Sequence, residues 1–152
     1  MEFNLKIFEG TDVIKFGMTS KEIQSILKIT PTLFKKSEVD LHDTEDYRNI
    51  CHVSYEVGNE GILICSAIEF FKQSEVFLNN VQLLGKQREE IEELFKSIFD
   101  DCEVDFGGMG SPKNDIRLYA PILPHTKIVQ SVYIARKGYC AEQKEFYEKA
   151  FS

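Results

Sequence analysis

The sequence predicts an α+β fold: antiparallel sheets packed by helices, with a helix-then-strands unit used twice. Three observations carry this reading. Glu22-Ile23-x-x-Ile26-Leu27-Lys28 recurs 68 positions later as Glu90-Ile91-x-x-Leu94-Phe95-Lys96. Glu38-Val39-Asp40-Leu41 recurs as Glu103-Val104-Asp105-Phe106, at an offset of 65. Val53-x-Tyr55 answers to Leu118-Tyr119, with the tyrosines 64 apart, and Ala67-Ile68 answers to Ser131-Val132 at the same spacing. The order is kept while the offset drifts by a few residues, the pattern that small loop deletions leave. Two similar halves sharing one sheet or packing side by side are expected, with pseudo-repeats at about 12–84 and 85–139 and a C-terminal helix at 141–151, all in one domain spanning 1–152. Such a plan favours a broad recognition surface over a deep catalytic cleft.

Taken in order, 3–8 and 12–16 read as short strands around a turn at Gly10. Thr19 is a good helix N-cap, and Glu22 three residues on completes a capping box. Ile23, Ile26 and Leu27 form an apolar stripe at helical spacing, and Pro31 stops the helix near Ile29. A strand follows over 34–41, then a polar loop or exposed edge over 42–49. The stretch 50–57 alternates as a strand should, Gly58-Asn59-Glu60-Gly61 is a turn, and 62–71 is the most apolar strand and the central one. A further strand over 75–84, broken at Asn79-Asn80, completes an antiparallel meander. In the second unit, 89–99 is a helix with Ile91, Leu94, Phe95 and Ile98 on one face. The span 102–106 is a strand, 107–112 a flexible glycine-rich loop, and 115–120 and 128–135 are strands. The terminal helix is expected to turn Phe146, Tyr147, Ala150 and Phe151 toward the core.

The composition, 43 % hydrophobic and 28 % charged with twelve Phe and six Tyr, is ordinary for a globular domain. No stretch approaches the roughly 20 apolar residues of a membrane span, and no signal segment is visible, so a cytoplasmic protein with free thiols is expected. The net charge of −7 is unevenly spread. Between positions 89 and 105, Glu89, Glu90, Glu92, Glu93, Asp100, Asp101, Glu103 and Asp105 stand against Lys96 alone, a formal −7. A second acidic run holds Asp40, Asp43 and Glu45. Such a field repels nucleic acid and anionic membrane and attracts basic partners.

Sites for chemistry are sparse. His42, His52 and His125, with Cys51, have no metal-ligand spacing, and the adjacent Cys51 and His52 point to opposite faces of a strand. Cys102 lies among acidic neighbours that disfavour a thiolate. The Phe106-Gly107-Gly108-Met109-Gly110 stretch lacks the Lys-Ser/Thr ending of a phosphate loop. Lys35-Lys36 and Arg136-Lys137 are short basic pairs in an acidic chain. No catalytic residue, metal or cofactor is expected.

The stretch Ile14-Lys15-Phe16-Gly17-Met18-Thr19-Ser20-Lys21-Glu22-Ile23 resembles the opening of small bacterial domains that set a short helix before an antiparallel sheet. These are the beta-lactamase inhibitory protein family and the SmpA/OmlA-like lipoprotein domains. The chain departs from the lipoprotein branch in having no lipobox cysteine near its start. Val53-x-Tyr55, Ala67-Ile68-Glu69-Phe70-Phe71 and Val132-Tyr133-Ile134-Ala135-Arg136-Lys137-Gly138-Tyr139 resemble segments of bacterial immunity-type proteins of polymorphic or contact-dependent toxin systems. The resemblance implies an immunity protein that neutralises a basic toxin domain by direct binding. Glu89, Glu93, Asp100, Asp101 and Asp105 are the expected contacts, with Tyr47 and Tyr119 as aromatic anchors. The competing readings are a secretion chaperone or adaptor and an enzyme or small-ligand sensor. The sequence leaves the oligomeric state open.

Overall fold

The computed structural model describes residues 1–152. The first half runs β1 (Glu2–Lys6), β2 (Gly10–Thr11), α1 (Ser20–Leu27), β3 (Thr32–Phe34), β4 (Thr44–Tyr47), β5 (Cys51–Val57) and β6 (Leu63–Phe71). The second runs β7 (Glu75–Leu78), β8 (Val81–Gln82), α2 (Arg88–Ile98), β9 (Glu103–Asp105), β10 (Gly108–Ser111), β11 (Ile116–Tyr119) and β12 (Ser131–Ala135). Helix α3 (Tyr139–Ala150) closes the chain. No helix is long and apolar enough to cross a membrane.

Helix α1 starts as its sequence dictates. The Thr19 hydroxyl accepts from the Glu22 N–H while the Glu22 carboxylate receives the Thr19 N–H, a complete capping box. Lys28 ends the helix in the left-handed conformation, and Ile23 and Leu27 are buried beneath it. Helix α2 has no side-chain cap at Gln87; Glu89 and Glu90 in its first turn complement the helix dipole instead. Its buried face is Arg88, Ile91 and Phe95.

Two sheets are formed, an eight-stranded one ordered β3-β4-β5-β6-β12-β11-β10-β9 and a four-stranded one ordered β2-β1-β7-β8. Both orders read alike from either end when the two halves are exchanged. Strands β6 and β12 meet antiparallel at the centre, where Glu69 faces Tyr133. The approach to each helix is tied in the same way. Gly17 and Met18 exchange backbone hydrogen bonds with Cys65, and Gly85 and Lys86 exchange them with Val129. Glu22 and Glu90 both occupy the third position of their helices.

The two faces of the large sheet differ sharply. Tyr47, Cys51, Phe70, Val132, Leu118 and Met109 lie in one row across six strands, and all are buried. They share a single core with Ile23 and Leu27 of α1, Ile91 and Phe95 of α2, and Phe3 and Val76 of the small sheet. The next row, Asp46, His52, Glu69, Tyr133 and Arg117, points the other way. On that outer face, Tyr139 of α3 packs on Ala67 and Ala135.

Several expectations are corrected. The segment 38–41 is not a strand and is no counterpart of β9; the ladders put Thr32–Phe34 in that place. Val53 pairs with Ile68 and Leu118 with Val132, both on the inner face, but Tyr55 and Tyr119 point to opposite faces. Tyr55, two residues after Val53, turns into the core by ordinary strand alternation, whereas Tyr119, one residue after Leu118, stays on the outer face. The polar stretch expected as a loop or exposed edge contains β4, whose inward positions are Glu45 and Tyr47. The glycine-rich stretch is the buried strand β10, because only glycine fits: a Cβ on Gly108 would lie 1.9 Å from the Leu118 carbonyl oxygen. The 75–84 hairpin joins the other sheet, where β7 runs parallel to β1. On α3, Tyr139 is the buried residue, while Ala150 and Phe151 are exposed.

Candidate protein-binding surface

Amphipathic spacing fixes the acidic surface. With Ile91 and Phe95 turned inward, Glu89 and Glu93, one turn apart, are exposed on the far side of α2. Asp100 is exposed just beyond the helix. None of the three enters an ion pair within the chain; Lys96, the basic residue of the helix's last turn, is held by Glu92 at 3.0 Å.

Asp101 and Asp105 are differently employed. The Ser111 hydroxyl donates to Asp101 at 2.5 Å and the Lys113 N–H at 2.8 Å, and these bonds hold its carboxyl below the usual range. Asp105 accepts from Arg117 at 2.7 Å and from the N–H groups of Gly107 and Gly108 at 2.9 and 3.0 Å. The Arg117 bond is the main cause of its lowered pKa. These two carboxylates shape the β9–β10 and β10–β11 connections, so they organise the surface more than they are free to meet a partner.

Of the two aromatic anchors, Tyr119 is 49 % exposed on the outer face of β11. Tyr47 is a correction. Its side chain is 0 % exposed, and its hydroxyl donates to Glu45 at 2.7 Å inside the core. Glu45 also accepts from Tyr55 and, at 2.5 Å, from Ser20. A buried carboxylate needs such donors, and Tyr47 is one of them.

The structure adds residues that the sequence did not single out. Arg88, at the first position of α2, is buried and donates to the carbonyl oxygens of Asp105 and Ala120, with Gly108 at 3.5 Å. One guanidinium thus ties the start of α2 to the β9–β10 turn and the end of β11. Around this tie, Phe106 is 83 % exposed, and Ile122 and Leu123 are also exposed. Ile122 N–H donates to the Phe106 carbonyl at 3.2 Å, which holds the two segments side by side. The sequence signal for this was Phe106 itself, an aromatic residue between an acidic strand and glycines.

The outer sheet face holds a second feature. A cavity of about 490 Å³ lies between α3, the 36–44 segment and β5. Arg136 spans it, donating to Glu56 at 2.5 and 2.6 Å and also to Glu142, and Tyr147 donates to Asp40. His52 lies edge-on to Phe34 and Phe71, at 4.9 and 4.5 Å between ring centroids. No group of three or more His, Cys, Asp or Glu side chains is placed to hold a metal ion. All four cysteines are free thiols. Burial pushes Cys51 and Cys140 up to about 12 and also raises Cys65 and Cys102. Each thiol is therefore held in its protonated, weakly nucleophilic form.

Comparison with protein-family models, curated proteins and solved structures gives no match to this chain.

Proposed function

We propose that this protein is a toxin-neutralising immunity protein that works in the cytoplasm by direct binding to a basic partner domain. The observation that carries the reading is the state of Glu89, Glu93 and Asp100: exposed, on or beside one helix, and unpaired. Glu89 and Glu93 stand about 6 Å apart along α2, at roughly 1.5 Å per residue, and Asp100 lies just beyond its end. Unpaired surface carboxylates steer a basic partner and can pair with it without first breaking an internal bond. We read the two topologically matched halves as copies of one duplicated unit, supported by the matching glycine ties and by the glutamate at the third position of each helix.

The test is capture with the tagged full chain at low and high salt, followed by expression of the captured protein alone and with this chain. A salt-sensitive partner that arrests growth alone and is relieved by co-expression supports the reading. A partner whose toxicity is not relieved, or no partner at either salt, overturns it.

A second reading is a small-ligand sensor. It is favoured by the cavity under α3, whose volume lies within the range of ligand sites, roughly 300–1,000 Å³. Ligand-dependent thermal stabilisation, abolished by a substitution at Arg136, would favour it.

A further inference from the structure

We propose that Phe106, Ile122, Leu123 and Tyr119 form the apolar anchor of the binding surface. The occupant is a partner that offers an apolar recess ringed by Lys or Arg side chains. This rests on the protein-binding reading above and names the part of the surface that determines its affinity.

Four large side chains of one rim are exposed together: Phe106 at 83 %, Tyr119 at 49 %, Ile122 and Leu123 at nearly as much. Large apolar groups in such a group mark an interaction site, whereas single exposed ones are ordinary. The rim is also rigidly seated. Gly108 pairs with Tyr119, and the ladder continues past the strand ends through Ala120 N–H to Gly107 at 2.8 Å and Ile122 N–H to Phe106 at 3.2 Å. Arg88 closes the underside from three carbonyls. A side chain whose backbone is already fixed loses less freedom on binding, the general advantage of preorganisation.

Charge selects the occupant. Glu89 follows Arg88 directly, so the Arg88 tie sets the acidic start of α2 beside these apolar residues, while Asp105, which precedes Phe106, is already paired with Arg117. An apolar centre with a charged rim is the usual anatomy of a binding patch. Here Glu89, Glu90 and Glu93 stand exposed against Lys86 and Lys127 at the start of α2, which leaves that side of the rim net negative, so the complementary groups are basic.

The test uses the full chain, isotopically labelled, titrated with a synthetic amphipathic peptide of leucine and lysine and with its leucine–glutamate counterpart. The result expected is amide shifts confined to residues near 89–93, 104–108 and 119–123, with the lysine peptide only. Phe106→Ser weakens that binding at least about tenfold, while Val57→Ser, at the exposed end of β5, leaves it unchanged. Shifts elsewhere, equal binding of both peptides, no binding, or undiminished binding by Phe106→Ser overturns the rim as anchor. The two proposals fail separately. Rim binding without any toxic partner retires the immunity reading and keeps the surface. A rescuing partner that binds Phe106→Ser as tightly as the natural chain retires the surface and keeps the immunity reading.

Discussion

Tyr47 donates its hydroxyl proton to Glu45 at 2.7 Å, two residues away on β4, with both side chains buried. Tyr55 and Ser20 donate to the same carboxylate, so one buried charge organises three hydroxyls from α1, β4 and β5. Removing the acceptor strands all three. Glu45→Ala is expected to cost about 3 kcal/mol or more, whereas Tyr47→Phe, which leaves two donors, costs about 1–2 kcal/mol. Urea unfolding measures both. Since Tyr47 lies in the core, Tyr47→Phe leaves partner affinity unchanged; a large affinity loss at native stability would contradict its placement.

Gly108 cannot be replaced by alanine without moving β11. Its φ of +155° and the Leu118 carbonyl oxygen, 1.9 Å from where a methyl group would stand, both exclude a side chain. Gly107→Ala meets nothing closer than the Asp105 carboxylate at 3.4 Å. The first substitution is expected to unfold the chain or lower its thermal midpoint steeply, the second to change it little. Similar midpoints for the pair would show that β10 is not held in the sheet as described.

The two helices are capped by different means and should respond differently. Thr19→Ala removes the hydroxyl of the capping box and is expected to cost about 1 kcal/mol. Gln87→Ala removes no cap hydrogen bond from α2 and should be near neutral. Paired denaturation curves check this, and equal losses would contradict it.

His52 makes stability depend on pH. Burial between Phe34 and Phe71, with Lys36 nearby, lowers its pKa from the ordinary 6.5, and Asp46 and Glu69 only partly oppose this. The unfolded chain therefore binds the proton at higher pH than the folded one. The stability attached to neutral His52 is complete above about 6.5 and is lost as pH falls toward and through the lower folded value. An NMR titration should give a midpoint below 6.5; a midpoint at or above it would mean that the neighbouring carboxylates dominate.

Much of this fold was legible where pattern and chemistry agree. The Thr19–Glu22 capping box and the inward stripe of α2 are found where local rules place them. So is β6, the apolar central strand. Strand β4 was hidden because its inward Glu45 is satisfied by hydroxyls that come from α1 and from β5, which no local window contains. Strand β10 was hidden because glycine normally marks a loop, and the need for it here comes from β11. The parallel pairing of β1 with β7 joins residues some seventy apart. On the surface, the acidic run from 89 to 105 singled out Glu89 and Glu93, and both are exposed. The engagement of Asp101 with Ser111, and the seating of Phe106 by Arg88, depend on tertiary contacts.

The central claim is that an acidic, unpaired face of α2 neutralises a basic partner. Glu89→Lys with Glu93→Lys tests it most directly, because neither side chain holds the fold together. Asp101 would be a poor choice, being bonded to Ser111 and Lys113. The measurement is growth rescue of cells expressing the captured toxic partner, alongside association kinetics at low salt. The account predicts that the double variant folds normally, associates at least about tenfold more slowly and fails to rescue. A double variant that associates at the natural rate and rescues growth fully would contradict it.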